Sequence, residues 1–348
     1  MDKMFKRTLL ASTVAMVAAA GSANAAIDLN GNAVQLYGQA AGFMHYSSPD
    51  KGDSSVSAVI ESRVGFRGVV EFEDFGPNFL WQIEGGDANN GAKSGQLGAR
   101  DTYLGLGFDG VGSFKYGRQL VAAYNYVDWP HSNPGLGNVF DWHSALGDTD
   151  GKNNGGVGFQ DRADNVFRFD SETFGGFNFQ ATLSGMEKTT DDLVVSLGAS
   201  YQAGPVNLHA GYYNQDETEK SYYLVGATLG LDAFTLTGAF KSMENGKQEI
   251  VSSTFNGVQS NSQDAISVTA QYVIDKVVLK AGYAQTMDSD KGSVRNGEFV
   301  KDDGSQAITA RLGYLLPSTY LFIDSRNYKM NGADGFDMNI LVGAEYYF

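Results

Sequence analysis

The chain contains no cysteine and only 6 prolines in 348 residues. Beyond its first 25 positions, no apolar run approaches the roughly 20 residues that a membrane-spanning helix needs. Without thiols there are no disulfides, no cysteine nucleophile and no Cys-based zinc site. Scarce proline leaves little to interrupt long strands. If the chain sits in a membrane it must do so as a closed barrel, the one other structure that satisfies every backbone hydrogen bond in lipid. Positive charge is also short, with 25 Lys+Arg against 40 Asp+Glu and a formal net charge of −15. Phosphate backbones call for basic patches, so nucleic acid is not an expected partner.

What is present begins with a leader. Lys3, Lys6 and Arg7 precede the apolar stretch Leu9 to Ala20, and Ala23-Asn24-Ala25 follows it. This order is that of a secretory signal peptide over 1–25, cleaved after Ala25, with one domain over 26–348. Loss of Lys3, Lys6, Arg7 and Asp2 with the leader deepens the net charge to −17. Such acidity favours cations in a pore or its loops, although it also serves as an ordinary solvated surface.

Alternation with a period of two runs through the mature chain. At the C-terminus, Met338, Ile340, Val342, Ala344, Tyr346 and Phe348 share one parity, and Asn339, Leu341, Gly343, Glu345 and Tyr347 the other. Side chains of a strand alternate between faces, so one face suits lipid and the other tolerates water. About sixteen such segments can be placed, from 34–46 to 336–348. Short turn sequences such as Ala203-Gly204-Pro205 and Ile274-Asp275-Lys276 alternate with longer polar connections. Short turns at one end and long loops at the other characterise outer-membrane barrels; a soluble β-sandwich needs no such bias. Tyr222, Tyr223, Tyr272, Tyr283, Tyr314, Tyr320 and Phe348 fall near strand ends, where aromatic girdles lie.

Four segments carry a family resemblance. They are Glu61 to Gly68, Arg100 to Leu106 with Val111-Gly112-Ser113-Phe114-Lys115-Tyr116-Gly117-Arg118, Arg162 to Gly176, and the terminus ending on Tyr346 and Phe348. Together they resemble the general diffusion porins of Gram-negative bacteria. The resemblance implies an all-β, transmembrane antiparallel barrel of about 16 strands with a long inward-folded third loop. It implies a homotrimer in the outer membrane, in contact with lipid and lipopolysaccharide and inserted by the assembly machinery, with Tyr346 and Phe348 as the assembly signal. The transported partners would be small hydrophilic solutes and ions, and no cofactor is expected.

The connection 119–160 has the position and length of the third loop, and Trp129, Leu136, Val139, Phe140 and Trp142 suit a segment that packs. In the family its acids face an arginine ladder. Parity puts Arg63 and Arg67 opposite Val64 and Phe66, and Arg168 opposite Phe167 and Phe169, with Arg162 in the same series. Arg100 matches the family position but shares parity with the apolar Leu104 and Leu106. Where many relatives carry Pro-Glu-Phe-Gly-Gly-Asp, this chain has Pro134-Gly135-Leu136-Gly137-Asn138-Val139, so Asp128 and Asp141 are the substitute acids. The expected constriction is therefore Arg63, Arg67, Arg100, Arg162, Arg168, Asp128 and Asp141, giving modest cation selectivity. These arginines could instead pair with wall carboxylates such as Glu61 and Glu71. Gly105 and Gly107 are expected on the outer face, allowing close subunit approach.

Catalysis finds little support. The four histidines are His45, His131, His143 and His209; His131 and His143 lie near Asp128 and Asp141, but no serine nucleophile context accompanies them. Asp148 to Gly155 begins like a calcium loop and then places Phe159 where the bidentate acid belongs. Asp288, Asp290, Lys291, Asp302 and Asp303 form a charged loop that could hold divalent ions against lipopolysaccharide. A substrate-selective channel and an adhesin or receptor barrel are the alternatives to a general channel.

Overall fold

The computed structural model describes residues 26–86, 96–127, 140, 159–185, 193–216, 219–244, 246, 248–251, 256–259, 261–295, 298–330 and 333–348. The leader 1–25 lies outside them. Sixteen antiparallel strands form one closed barrel. They are β1 (Gln35–Ser48), β2 (Ser55–Ile60 and Arg63–Val70, interrupted at Glu61 and Ser62), β3 (Asn78–Gly85), β4 (Leu97–Phe108), β5 (Gly112–Leu120), β6 (Arg162–Ser171), β7 (Phe177–Ser184) and β8 (Val194–Ala203). Then follow β9 (Val206–Gln215), β10 (Lys220–Leu231), β11 (Phe234–Glu244), β12 (Ser262–Ile274), β13 (Val277–Thr286), β14 (Ser305–Leu316), β15 (Thr319–Lys329) and β16 (Asp337–Tyr347). Each strand pairs with the next, and β1 pairs with β16 from Gln39↔Tyr347 to Ser48↔Met338. Closure removes the edges of the barrel sheet itself.

The alternation read from the sequence governs which way each side chain points. In β8, Val195, Leu197 and Tyr201 stand exposed on the outside while Val194, Ser196 and Ser200 are buried on the inside. Leu208, Val225, Val268, Ile308, Leu312 and Val342 continue the exposed apolar exterior. In water such a surface would be a liability; against lipid it is the stable arrangement. The tightest turns rely on left-handed residues, with φ +60° at Gly204, +44° at Asp232, +52° at Asp275 and +50° at Ser318. Glycine accepts that conformation freely, and aspartate tolerates it through its own side-chain hydrogen bonding.

The terminal residue completes the seam. Gly38 N donates to Phe348 O at 2.7 Å, and Phe348 N donates to Gly38 O at 3.1 Å. The Phe348 ring stacks on Tyr346 and lies over Gly38, where an added Cβ would come within 2.5 Å of the ring. Tyr223, Tyr272 and Tyr314 do sit on the outer face. Tyr222 and Tyr320 do not: their parity turns them into the lumen, where Tyr222 is buried in a core and Tyr320 lies beneath Arg311. Gly105 and Gly107 also point inward, Gly105 pairing with Lys115 and Gly107 facing Leu80, so they offer no outer contact for a subunit.

Candidate functional site

The lumen is occupied on one side by the chain that follows β5. Val121, Ala122 and Ala123 have no exposed surface, and a short helix α1 (Tyr124–Val127) continues inward. Their amides are held by wall hydroxyls. Ala122 N donates to Thr182 Oγ1 at 3.0 Å, Ala123 N to Ser196 Oγ at 2.9 Å, and Gln160 N to the Tyr213 hydroxyl at 3.1 Å. Buried backbone groups must find partners, and here β7, β8 and β9 supply them. Tyr126 packs over Gly198 and beside His209, with ring centroids 5.4 Å apart; burial pushes its phenol up to about 12. Phe159 meets Tyr213 and Tyr222 edge-on, and those two tyrosines stack at 5.0 Å. Phe140, wholly buried, gives its carbonyl to Lys241 on β11. The barrel's hydrophobic core is thus inside the barrel, between this inward segment and β8 to β14. Asp128, Asp141, Trp129, Leu136, Val139, Trp142, His131 and His143 lie outside the described residues.

The other side of the lumen carries charge. Arg67 Nε donates to Gln35 Oε1 at 3.3 Å, and its guanidinium lies 4.9 Å from the centre of the Tyr37 ring. Arg63 stands two same-face positions away along β2, beyond Gly65, opposite Gln39. Arg100 meets Glu84 at 2.5 Å, Arg162 meets Asp101 at 2.7 Å, and Asp170 accepts from both Arg168 and Lys115 at 2.8 Å. At least three of the five expected arginines therefore pair with carboxylates of the wall itself, the arrangement foreseen as the alternative, with Glu84, Asp101 and Asp170 among the acids.

Arg100 shows where strict parity fails. Between β3 and β4 the register passes from Ile83↔Thr102 to Gly85↔Leu97, so β4 carries extra residues there, with Gly98 at φ +91°. A bulge re-aims the side chains beyond it, which brings Arg100 to the lumenal Glu84 although Leu104 and Leu106 face outward. A second bulge, between Gly117 and Gln119, adjusts β6 near Asn165, whose φ is +52°.

One charged group was missed altogether. Asp324 on β15 accepts two hydrogen bonds from Arg311, at 2.6 and 2.7 Å, and is joined by Arg326 at 2.7 Å. Arg311 lies over Phe322 at 4.5 Å. The signal was available: Arg311 and Asp324 interrupt strands whose other parity is Ile308, Leu312, Leu321 and Ile323. Charges kept inside an apolar-alternating strand belong to a lumen.

The acidic loop after β13 acts as a clasp. Asp303, fully buried, accepts from Ser289 N and Ser289 Oγ at 2.7 Å each; Asp288 accepts from Gly304 N, and Asp290 from Ser262 Oγ. These carboxylates tie the two ends of that loop to each other and to the start of β12, and no cluster suited to a metal occurs among the described residues.

Comparison with known proteins agrees with this geometry. The family model for Gram-negative porins matches residues 11–335. The chain is 32% identical to a chitoporin of Vibrio furnissii, over 100% of both proteins. Among solved structures it resembles the anion-selective porin of Comamonas acidovorans, with a TM-score of 0.68 and 19% identity over 91% of this chain and 99% of that one. It also resembles the trimer form of OmpT from Vibrio cholerae, with a TM-score of 0.62 and 18% identity over 90% and 99%. These two share its fold. A barrel with an apolar exterior, a charged interior and a segment folded within is what a channel of the outer membrane requires, and the chain belongs to the Gram-negative porins.

Proposed function

We propose that the protein is a general porin through which small hydrophilic solutes and ions diffuse passively, with a modest preference for cations. One observation carries the reading: the inward segment is docked on β7 to β11, while the facing wall keeps Arg63, Arg67, Arg100, Arg162 and Arg168. The segment 121–160 contains four aspartates and one lysine. Acid on one side and guanidinium on the other create a transverse field that orders water and disfavours apolar solutes. The cation preference comes from the acidic excess of the chain, with Asp128 and Asp141 contributing at the narrow part and the wall arginines limiting its size. Single-channel recording in planar bilayers tests this. Ohmic conductance with flux that falls with solute size supports it, and no conductance from folded protein would refute it.

The full-length similarity to a chitoporin favours a second reading, a channel selective for chitin fragments. Saturable flux or blockade by one saccharide class separates that channel from a general one.

A homotrimer fits both readings. Arg118 and Asp164 form an ion pair at 2.8 Å on the outer face, beside Tyr116, whose hydroxyl donates to Asn165. Charge on a lipid-facing surface is costly, and a neighbouring subunit would cover it. Sedimentation equilibrium in detergent that finds only monomer removes the trimer.

A further inference from the structure

An apolar row crosses the inner wall of the barrel. Phe322 of β15 stands in register with Gly343 of β16, Gly343 with Phe43 of β1, and Phe43 with Val59 of β2. All four positions face inward, since their neighbours Leu321, Val342, Met44 and Ile60 belong to the exposed exterior. A Cβ on Gly343 would come within 2.6 Å of Phe322 Cζ and 2.7 Å of Phe43 Cβ, so the two phenylalanines close over the glycine and the row is continuous. With neighbouring strands about 4.8 Å apart, it runs for about 14 Å around the wall.

This row differs from the core on the docked side. Phe322 is buried, its ring centre 6.5 Å from that of Phe43, while Phe43 and Val59 are partly exposed. None of the three belongs to the cluster that packs with the inward segment, and Ser57, the next inward position of β2, is exposed. Apolar surface left against water marks a place that a ligand covers.

The surroundings select the ligand. Inward charges near the row are Arg63, Arg311 and Arg326 against Glu61, Asp324 and Glu345, so neither sign prevails and a neutral solute is favoured. Arg311 and Arg326 are both spent on Asp324, which fixes that flank before anything binds. Hydrogen-bond acceptors stand on both sides of the row. Asn339 Nδ2 donates to Arg326 O at 3.2 Å, which turns Asn339 Oδ1 towards His45 and makes His45 Nε2 the donor, 2.9 Å away. Nδ1 of the neutral imidazole is then an acceptor. On the other flank Glu345 Oε2 receives the Tyr347 hydroxyl. Among the described residues neither His45 Nδ1 nor Glu345 Oε1 has a protein partner. Ligand sites commonly join a mostly apolar floor to a few convergent polar groups. A pyranose ring is the complement of this one, with C–H faces to cover aromatic and aliphatic side chains and edge hydroxyls to donate.

We infer that Phe322, Phe43 and Val59 form a saccharide shelf, on which a neutral sugar lays its C–H face over Phe43 and Val59 and donates hydroxyl hydrogens to His45 and Glu345. The inference rests on the channel reading above and is independent of whether the channel is general or selective.

Single-channel recording in planar bilayers tests it, with triacetylchitotriose and maltotriose as probes and polyethylene glycol of similar mass as a chain without ring faces. In the unaltered protein a saccharide should interrupt the current in a concentration-dependent, saturable way, and polyethylene glycol should not. Phe43→Ala should weaken that binding at least ten-fold, Val59→Ser several-fold, and Phe43→Trp should retain it, all with the parent's conductance in salt alone. No interruption by either sugar in a conducting channel overturns the shelf and leaves the channel standing. Equal interruption by polyethylene glycol, or unchanged affinity in Phe43→Ala and Val59→Ser, also overturns it. If Phe43→Ala does not fold, Val59→Ser decides by the same criterion. Silence from the unaltered protein refutes the channel and the shelf with it.

Discussion

The two sides of this barrel's interior are built from the same alternation and do different work. From β7 to β11 the inward positions include Thr182, Ser196, Gly198, His209, Tyr213, Tyr222, Lys241 and Met243, mostly small, neutral or aromatic, several of them packed against the inward segment. From β2 to β6, and again on β14 and β15, they are arginines and lysines interleaved with carboxylates. A period of two decides only that a side chain faces in. Whether that position meets protein or water is decided by where the chain after β5 lies down, and composition follows. The docking side has hydroxyls that serve orphan amides, whereas the open side has charges that tolerate water and act on what passes.

Both sides depend on one seam, so its loss gives the largest effect. Deleting Phe348 removes the two backbone hydrogen bonds exchanged with Gly38 and the ring that covers it. The variant should accumulate unfolded and lack heat-modifiable mobility, as gel migration of outer-membrane fractions would show. Normal amounts of folded protein would mean that the seam closes without its last residue.

Next in size is a pair of glycines that distinguishes the docked side from the outer face. A Cβ at Gly198 would lie 2.6 Å from Tyr126 Cε2 and 2.9 Å from the Ala122 carbonyl oxygen, whereas at Gly238 the nearest such atom is 4.0 Å away. Gly198→Ala should destabilise by about 1–3 kcal/mol, the usual range for overpacking a close contact, and raise conductance by displacing α1. Gly238→Ala should do neither. Thermal melting followed by gel mobility, with bilayer recording, reads both variants; equal behaviour would mean that Tyr126 does not depend on the space at Gly198.

Much of this was legible in the sequence. The alternation located the sixteen strands, and turn residues such as Gly204, Asp232 and Asp275 marked their short ends, because both signals are local. Bulges were not legible. Arg100 faces the lumen through extra residues opposite Glu84, and nothing in the run Leu97 to Phe108 announces where pairing slips. Nor could residue type tell Tyr223 on the outside from Tyr222 in the core, since tyrosine suits both places. The partners of the arginines depend on register between strands distant in sequence, as with Arg162 and Asp101 or Lys115 and Asp170, and a single sequence carries no register.

A smaller effect belongs to the open side alone. Asp170 neutralises part of the charge of Arg168 and Lys115, so Asp170→Asn leaves two cations facing the channel. The reversal potential in a salt gradient should move towards anions, while conductance noise stays as in the parent because no docking contact is touched. A shift towards cations would contradict the lumenal placement of this group.

The smallest expected effect compares the two sides directly. Asp128 and Asp141 belong to the inward segment, and Arg63 and Arg162 to the wall. A fixed charge changes the local concentration of ions within a Debye length of about 8–10 Å at physiological salt, so each group acts only if it lies near the path. Asp128→Asn with Asp141→Asn should move the reversal potential towards anions. Arg63→Ser or Arg162→Ser should move it towards cations and enlarge conductance, since a long side chain is also removed. Arg162→Ser should have the larger local cost, because it leaves Asp101 without the guanidinium now 2.7 Å away. Both shifts must shrink as salt rises, because screening shortens their reach. If neither set of variants shifts the potential at low salt, with folded protein in normal yield, these residues do not line the narrow part of the channel and the transverse field must be sought elsewhere along the wall.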